Sequence, residues 1–170
     1  RITLDGQKAE WYDPASENQV SRVSCNVREQ YGNGKKRIML IDCGVKYNII
    51  RSLLQYDTTV IRVPWDYPIH EELYDGLFIT NGPGDPAQCD KTIVNLQQAI
   101  QKDIPIFGIC LGSQLLALAA GAQTYKLKYG HRSHNQPVQL CGTQQCYITS
   151  QNHGYAVEPS TLPKEWKPMF

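Results

Sequence analysis

From Arg37 to Gly121 the chain alternates short runs of apolar and β-branched residues with stretches of helical period, and this alternation confines it to one class of fold. "RIMLIDC" (37–43), "TTVIRV" (58–63), "GLFIT" (76–80) and "PIFGI" (105–109) read as strands. Between them, "YNIIRSLLQ" places Ile49, Ile50, Leu53 and Leu54 at helical spacing, and Asp90 to Lys102 carries Ile93, Leu96 and Ile100 on one face with Asp90 as its N-cap. Strands and helices in alternation predict an α/β fold, an open and mostly parallel sheet with helices on both faces. After Gly121 the helical spacing disappears. "QTYKLKYG", "PVQL" and "QCYITSQ" are strand-like with no useful helix between them, which predicts a small antiparallel extension.

The first 36 residues lack this pattern. Their charges are mixed, their apolar positions scattered, and they close on Gly-Asn-Gly-Lys-Lys; only Val23, Cys25 and Val27 alternate as a short strand would. Residues 1–36 therefore read as a linker and the end of a missing N-terminal domain, and residues 37–170 as one domain. That domain stops at "EWKPMF" with no closing helix, which reads as incomplete at its C-terminus.

Charge excludes several classes of partner. With 17 Lys and Arg against 16 Asp and Glu, the net charge of +1 supplies no long-range field to gather nucleic acid or anionic lipid. The longest apolar stretches fall short of a membrane span and no basic-then-apolar leader opens the chain, so a cytoplasmic location is expected. In that compartment the six cysteines are free thiols. None forms a C-x-x-C pair, and the four histidines are too dispersed for a zinc site, so no metal is expected.

One cysteine stands apart. In "FGICLGSQ" Cys110 lies between Gly108 and Gly112, after an apolar strand and before a helix-forming run. A cysteine at a strand end is ordinarily a packing residue. Flanking glycines change that reading, because they let the backbone make the strand–turn–helix of a nucleophile elbow, with sulfur in place of the usual hydroxyl. The turn would present the thiol at the carboxyl edge of the sheet, where open α/β folds bind ligands. The following helix would aim its free N–H groups at the sulfur, favouring the thiolate and offering donors to an oxyanion.

Two further loops point to the same edge. "NGPGDP" (81–86) follows the strand before the elbow strand, and Gly82 and Gly84 would let main-chain N–H groups approach a ligand, although a Gly/Pro loop is often no more than a turn. It lacks the G-K-[ST] ending of a phosphate loop. In "TSQNHGYAVE" (149–158), Asn152 and Gly154 could offer a side-chain amide and a backbone contact to a polar ligand. His153 reads either as a base for Cys110 or as a residue that satisfies a turn.

Together, "NGPGDP", "FGICLGSQLLALAAGA" and "ITSQNHGYAV" resemble the class I (triad) glutamine amidotransferases. "IDCGVKYNIIRSLL", "VPWDY", "KLKYGHRSHNQPV" and "TLPKEWKPMF" narrow the likeness to the small, glutamine-hydrolysing subunits of carbamoyl phosphate synthases, over nearly all of residues 37–170. The resemblance implies a flavodoxin-like fold and a reaction in which Cys110 attacks the side-chain amide of L-glutamine, gives a γ-glutamyl thioester and ammonia, and releases glutamate to water. It implies oxyanion-hole N–H groups from Leu111 and Gly82, and a glutamine pocket formed by Gly82, Gly84, Leu111, Gln114, Asn152, Gly154 and Tyr155. The partner it implies is a large synthetase subunit, which would carry ATP, Mg and bicarbonate and make carbamoyl phosphate for pyrimidine and arginine synthesis; no cofactor is implied in this chain.

Two departures from the family pattern stand out. Ser113 replaces a histidine after G-I-C-L-G, on the first turn of the helix, where it is expected to tune packing or local hydrogen bonds. The His-Pro-Glu that supplies the family's base and its orienting carboxylate occurs nowhere in these 170 residues, and His153 aligns with the "QNHG" motif instead. The chain as given is thus expected to hold the thiol and much of the pocket without a complete triad. Lys128, His131, Arg132 and His134 read as a subunit-contact or structural loop, or equally as a solvated surface. The rival readings are the amidotransferase of another synthase, for anthranilate or GMP, and a non-catalytic interaction module.

Overall fold

The structure is a computed structural model that describes residues 12–170. The part of the expected linker that precedes Tyr12 lies outside the described residues. Its elements are α1 (Val20–Val23), β1 (Glu29–Tyr31), β2 (Lys36–Asp42), α2 (Tyr47–Leu53), β3 (Thr58–Pro64), β4 (Gly76–Ile79), α3 (Asp90–Ala99), β5 (Ile106–Gly108), α4 (Leu111–Ala119), β6 (Thr124–Gln139) and β7 (Cys146–Val157).

Five strands form one sheet in the order β1-β3-β2-β4-β5. The pairs β2–β3, β2–β4 and β4–β5 are parallel, and only β1 runs antiparallel, on β3. The strand order reverses at β2, which begins the parallel series yet lies between β3 and β4. Such a switch point leaves a crevice outside the strands' carboxyl ends, here between the segments after Asp42 and after Ile79.

Period-two alternation distributes the apolar residues to both faces. Met39 and Ile41 of β2 and Ile61 and Val63 of β3 face the larger core, with Leu96 of α3 and Leu111 and Leu115 of α4. Leu40 and Val60 point the other way and meet Ile50 of α2. Each side chain buried so completely contributes roughly 1.5–3 kcal/mol. Helices therefore cover both faces, as the alternating sequence predicts.

Several local expectations differ. Asp90 is not the N-cap of α3; that position falls to Cys89, whose side chain makes no cap bond, and Asp90 sits in the first turn, where its charge complements the helix dipole. The helix ends at Ala99 rather than Lys102. Thr92 and Asn95 share its buried face with Leu96 and are satisfied across the interface, by Trp65 and Tyr67 carbonyls at 2.7 and 2.8 Å. Val23, Cys25 and Val27 form no strand, since Val23 closes α1 and the strand of this region is Glu29–Tyr31. Three alternating residues cannot outweigh the Asn18 side chain, which accepts from the Val20 and Ser21 N–H groups and starts a helical turn there. Between Tyr12 and Lys36 the chain packs on the sheet: Val20 enters the larger core and β1 extends the edge.

The extension is antiparallel and has two strands, β6 and β7. "QTYKLKYG" and "PVQL" belong to a single irregular strand rather than two.

Candidate active site

Cys110 stands at the turn between β5 and α4. Its φ of 53° makes it the only non-glycine residue with positive φ among the described residues. A side chain in that region carries strain that the surroundings must over-determine, and the surroundings do so. A Cβ on Gly108 would come within 2.5 Å of the Gly112 carbonyl carbon, and one on Gly112 within 2.3 Å of the Ile79 carbonyl oxygen. The two glycines thus let strand, helix start and neighbouring strand approach as closely as the elbow requires. The Ile109 N–H donates to Ile79 O at 3.0 Å, tying the turn to β4. Ser113 Oγ, where the family has histidine, donates to Cys110 O at 2.7 Å and closes the first turn of α4. The thiol of Cys110 is exposed.

The loop 81–86 lies against this turn. A Cβ on Gly82 would stand 2.2 Å from Cys43 O and 2.6 Å from Leu111 Cδ2. Gly82 therefore fits into the switch point between the end of β2 and the start of α4. Neither its N–H nor that of Leu111 has a partner among the described residues; for Leu111 this follows from its place in the first turn of a helix. Gly84 adopts φ 86°, and a Cβ there would stand 3.0 Å from Gln19 Cβ.

A buried carboxylate supports this arrangement from below. Asp42, fully buried, accepts from Gly44 N–H (2.9 Å), Val45 N–H (2.7 Å) and Cys25 N–H (2.8 Å), and from Arg62 through Nε (2.9 Å) and Nη2 (2.6 Å). Burial would raise its pKa, but the Val45, Gly44 and Cys25 amides and the Arg62 guanidinium outweigh burial and hold the carboxyl below its ordinary value. The turn it fixes is bridged to the next loop, because Asn81 Nδ2 donates to Gly44 O at 3.0 Å and Thr80 Oγ1 accepts from Cys43 N–H at 2.9 Å.

Strand β7 closes the other side. Gln114 of α4, nearly buried, donates through Nε2 to Tyr155 O at 2.7 Å, which docks β7 on α4 and leaves Gln114 Oε1 without a partner among the described residues. Burial first, then the carboxylate of Asp85, push the Tyr155 hydroxyl above its ordinary pKa. An open cleft of about 900 Å³ results, and Cys110, Leu111, Gly82, Gly84, Gln114, Asn152, Gly154 and Tyr155 all line it. Every residue that the sequence placed at the site is brought there.

His153 also lines the cleft, but its ring is taken up within the β6–β7 pair. Nδ1 donates to Tyr155 O at 2.7 Å, and Nε2 lies 3.0 Å from Gln151 Oε1 and 3.2 Å from His131 Nδ1. Of the two readings left open, the ring satisfying its own strand is the one this geometry fits. Sequence reasoning missed other contributors: Gln19 from the expected linker, Lys46 after β2, and Lys126 and Arg132 of β6. No local motif marks the first three. Arg132 stands out in the sequence only as a surface contact, because its cross-strand partner is 20 residues away.

No helix among the described residues is long and apolar enough to cross a membrane, and no cluster of three or more metal-ligating side chains occurs among them.

Comparison with known proteins gives the same result at the level of family. The class I glutamine amidotransferase profile matches residues 39–170. The chain is 49% identical over its full length to the "Multifunctional protein CAD" of Squalus acanthias, covering 8% of that protein. It is 50% identical, again over its full length, to the "Carbamoyl phosphate synthase arginine-specific small chain" of Saccharomyces cerevisiae, of which it covers 44%. It thus spans less than half the length of these curated relatives. Among solved structures, a Thermoplasma acidophilum protein described as a GMP synthase component superposes with a TM-score of 0.60 at 23% identity, over 79% of this chain and 71% of that one. A Thermotoga maritima glutamine amidotransferase superposes with a TM-score of 0.51 at 22% identity, over 78% and 65% respectively. Sequence match, relatives and fold coincide on one family, and this chain belongs to the class I glutamine amidotransferases.

Proposed function

We propose that this chain is the glutamine-hydrolysing part of a carbamoyl phosphate synthase. The thiolate of Cys110 attacks the side-chain carbonyl carbon of L-glutamine, and the Leu111 and Gly82 N–H groups hold the oxyanion that forms. Collapse of the tetrahedral adduct expels ammonia and leaves a γ-glutamyl thioester, which water cleaves to glutamate. Gly84, Gln114, Asn152, Gly154 and Tyr155 hold the amino acid. A histidine from outside these 170 residues takes the thiol proton and returns it to the leaving nitrogen, a contribution of roughly 10²–10⁴ in rate.

The observation that carries this reading is the exposed thiol on a positive-φ elbow, in a cleft lined also by Leu111 and Gly82, whose amides are unpaired among the described residues, and by the Asn152–Tyr155 segment of β7. Ammonia would pass to a large synthetase subunit, which supplies the ATP, Mg and bicarbonate for carbamoyl phosphate; support comes from the names of the relatives, at about 50% identity over the whole chain. Six free cysteines fit a reducing, cytoplasmic setting.

The test uses the intact protein. It should release glutamate and ammonia from glutamine, and a glutamine-mimicking diazoketone should label Cys110 and abolish that release. Ammonia release that persists after Cys110→Ala would reject the mechanism. With ATP, Mg and bicarbonate added, carbamoyl phosphate is the expected product; anthranilate or GMP, from their own acceptors, would instead assign the chain to another synthase.

A further inference from the structure

Two irregularities in the β6–β7 ladder frame a short block of regular pairing. Residues 127–130 of β6 stand opposite Gly154 alone, and a second shift falls between Ser133 and Gln136. Gly130, at φ 71°, closes the first bulge, where a Cβ would lie 2.7 Å from His153 O and 3.3 Å from Gly154 Cα. Bulges re-aim the side chains beside them. In the block between these two, Arg132 is the direct cross-strand partner of Asn152. Its Nη1 donates to Asn152 Oδ1 at 2.9 Å, and its Nη2 lies 3.4 Å from the place of a Cβ on Gly154. Arg132, Asn152 and Gly154 all line the cleft that holds Cys110.

The bond decides the sense of the Asn152 amide. That amide accepts at one end and donates at the other, whereas a guanidinium only donates. Arg132 can therefore hold Asn152 in one orientation alone, oxygen toward the guanidinium and NH2 away from it. Asn152 Nδ2 takes no partner among the described residues, so the donor remains available to the cleft. We infer that Arg132 is a positioning residue for glutamine hydrolysis, which fixes the Asn152 amide so that its NH2 meets an oxygen of the bound glutamine. The inference rests on the glutaminase reading and adds to it the residue that sets the polarity of the amide contact. Arg132 touches neither the elbow nor the unpaired Gly82 and Leu111 amides in the contacts described, so its effect falls on binding rather than on the chemical step.

In the intact protein, Arg132→Ala should raise KM for glutamine about tenfold, the effect of one hydrogen bond to a charged group, with kcat changed less than about twofold. Arg132→Lys, which keeps a donor, should recover most of the loss. Arg132→Ala added to Asn152→Ala should do no further harm, because the group it positions has gone. An unchanged KM in Arg132→Ala, or two substitutions whose effects multiply independently, would overturn the assignment while leaving the glutaminase reading intact. Absence of glutamine-dependent ammonia release in the unsubstituted protein would overturn both. Arg132 and Asn152 are both exposed, so the thermal midpoint should not move; a raised KM accompanied by a lowered midpoint would make the role structural and refute the inference.

Discussion

Substituting alanine for Gly82 tests the proposed oxyanion hole with one carbon atom. The new Cβ would lie 2.2 Å from Cys43 O and 2.6 Å from Leu111 Cδ2, where an ordinary contact begins at 3.4 Å. Leu111 Cδ2 ends a flexible side chain, but Cys43 O belongs to the backbone at the end of β2, held by the Cys43 N–H bond to Thr80 and the Asp42 network beside it. The loop must give instead, by about 1 Å, the difference between 2.2 Å and an ordinary contact. Overpacking of this kind costs roughly 1–3 kcal/mol of stability. Moving a donor by about 1 Å in a preorganised site costs on the order of 10²-fold in rate. The expected result, in the intact protein, is a kcat for ammonia release about 100-fold lower, with KM affected less and Cys110 still labelled by a glutamine-mimicking diazoketone. Steady-state ammonia release with a coupled glutamate assay measures both constants. A Gly82→Ala variant that retains kcat within threefold would show that the Gly82 amide does not bear on the transition state, and would remove it from the mechanism.

Cys110→Gly should abolish glutamine hydrolysis yet raise stability by about 1 kcal/mol, since glycine adopts the φ of 53° without strain; a urea midpoint that falls would refute the claim of stored strain. Asp42→Asn should cost about 3 kcal/mol, because it removes the buried carboxylate of Arg62, leaves that guanidinium only the partly exposed Glu29 as a charged partner, and turns an NH2 group toward amide donors. The same group sets a pH dependence. Its folded pKa is below the unfolded value, so its stabilisation is complete above the ordinary carboxylate range near pH 4 and is lost as pH falls through the folded value. Urea midpoints measured from pH 6 to pH 2 should fall at the acid end for the unsubstituted protein and more gently for Asp42→Asn; parallel curves would refute the assignment to Asp42.

Local rules carried much of this protein. The β-branched run 58–63 and the apolar run 76–80 suit a parallel sheet covered by helices on both faces, and two glycines around a cysteine left the elbow as the conformation that uses them. These signals are short-range: each depends on residues that touch within one turn or one strand. The sequence alone therefore determined the fold class, the elbow that carries Cys110 and the three loops that meet at the cleft.

Tertiary structure decided how those pieces meet. That Gly82 presses on Cys43 and Leu111 follows from the strand order, in which β4 lies between β2 and β5. That Asp42 is a structural anchor follows from partners at residues 25 and 62, and that Arg132 serves the cleft follows from a cross-strand bond to Asn152. His153 shows the same limit, since its sequence neighbours permit a base and only its contacts with His131, Gln151 and Tyr155 occupy both nitrogens. Such roles depend on groups far apart in the chain and close in space. No periodicity encodes them, because hydrogen-bond geometry is set by where the whole sheet places each backbone, and a sequence states only the order in which those backbones arrive.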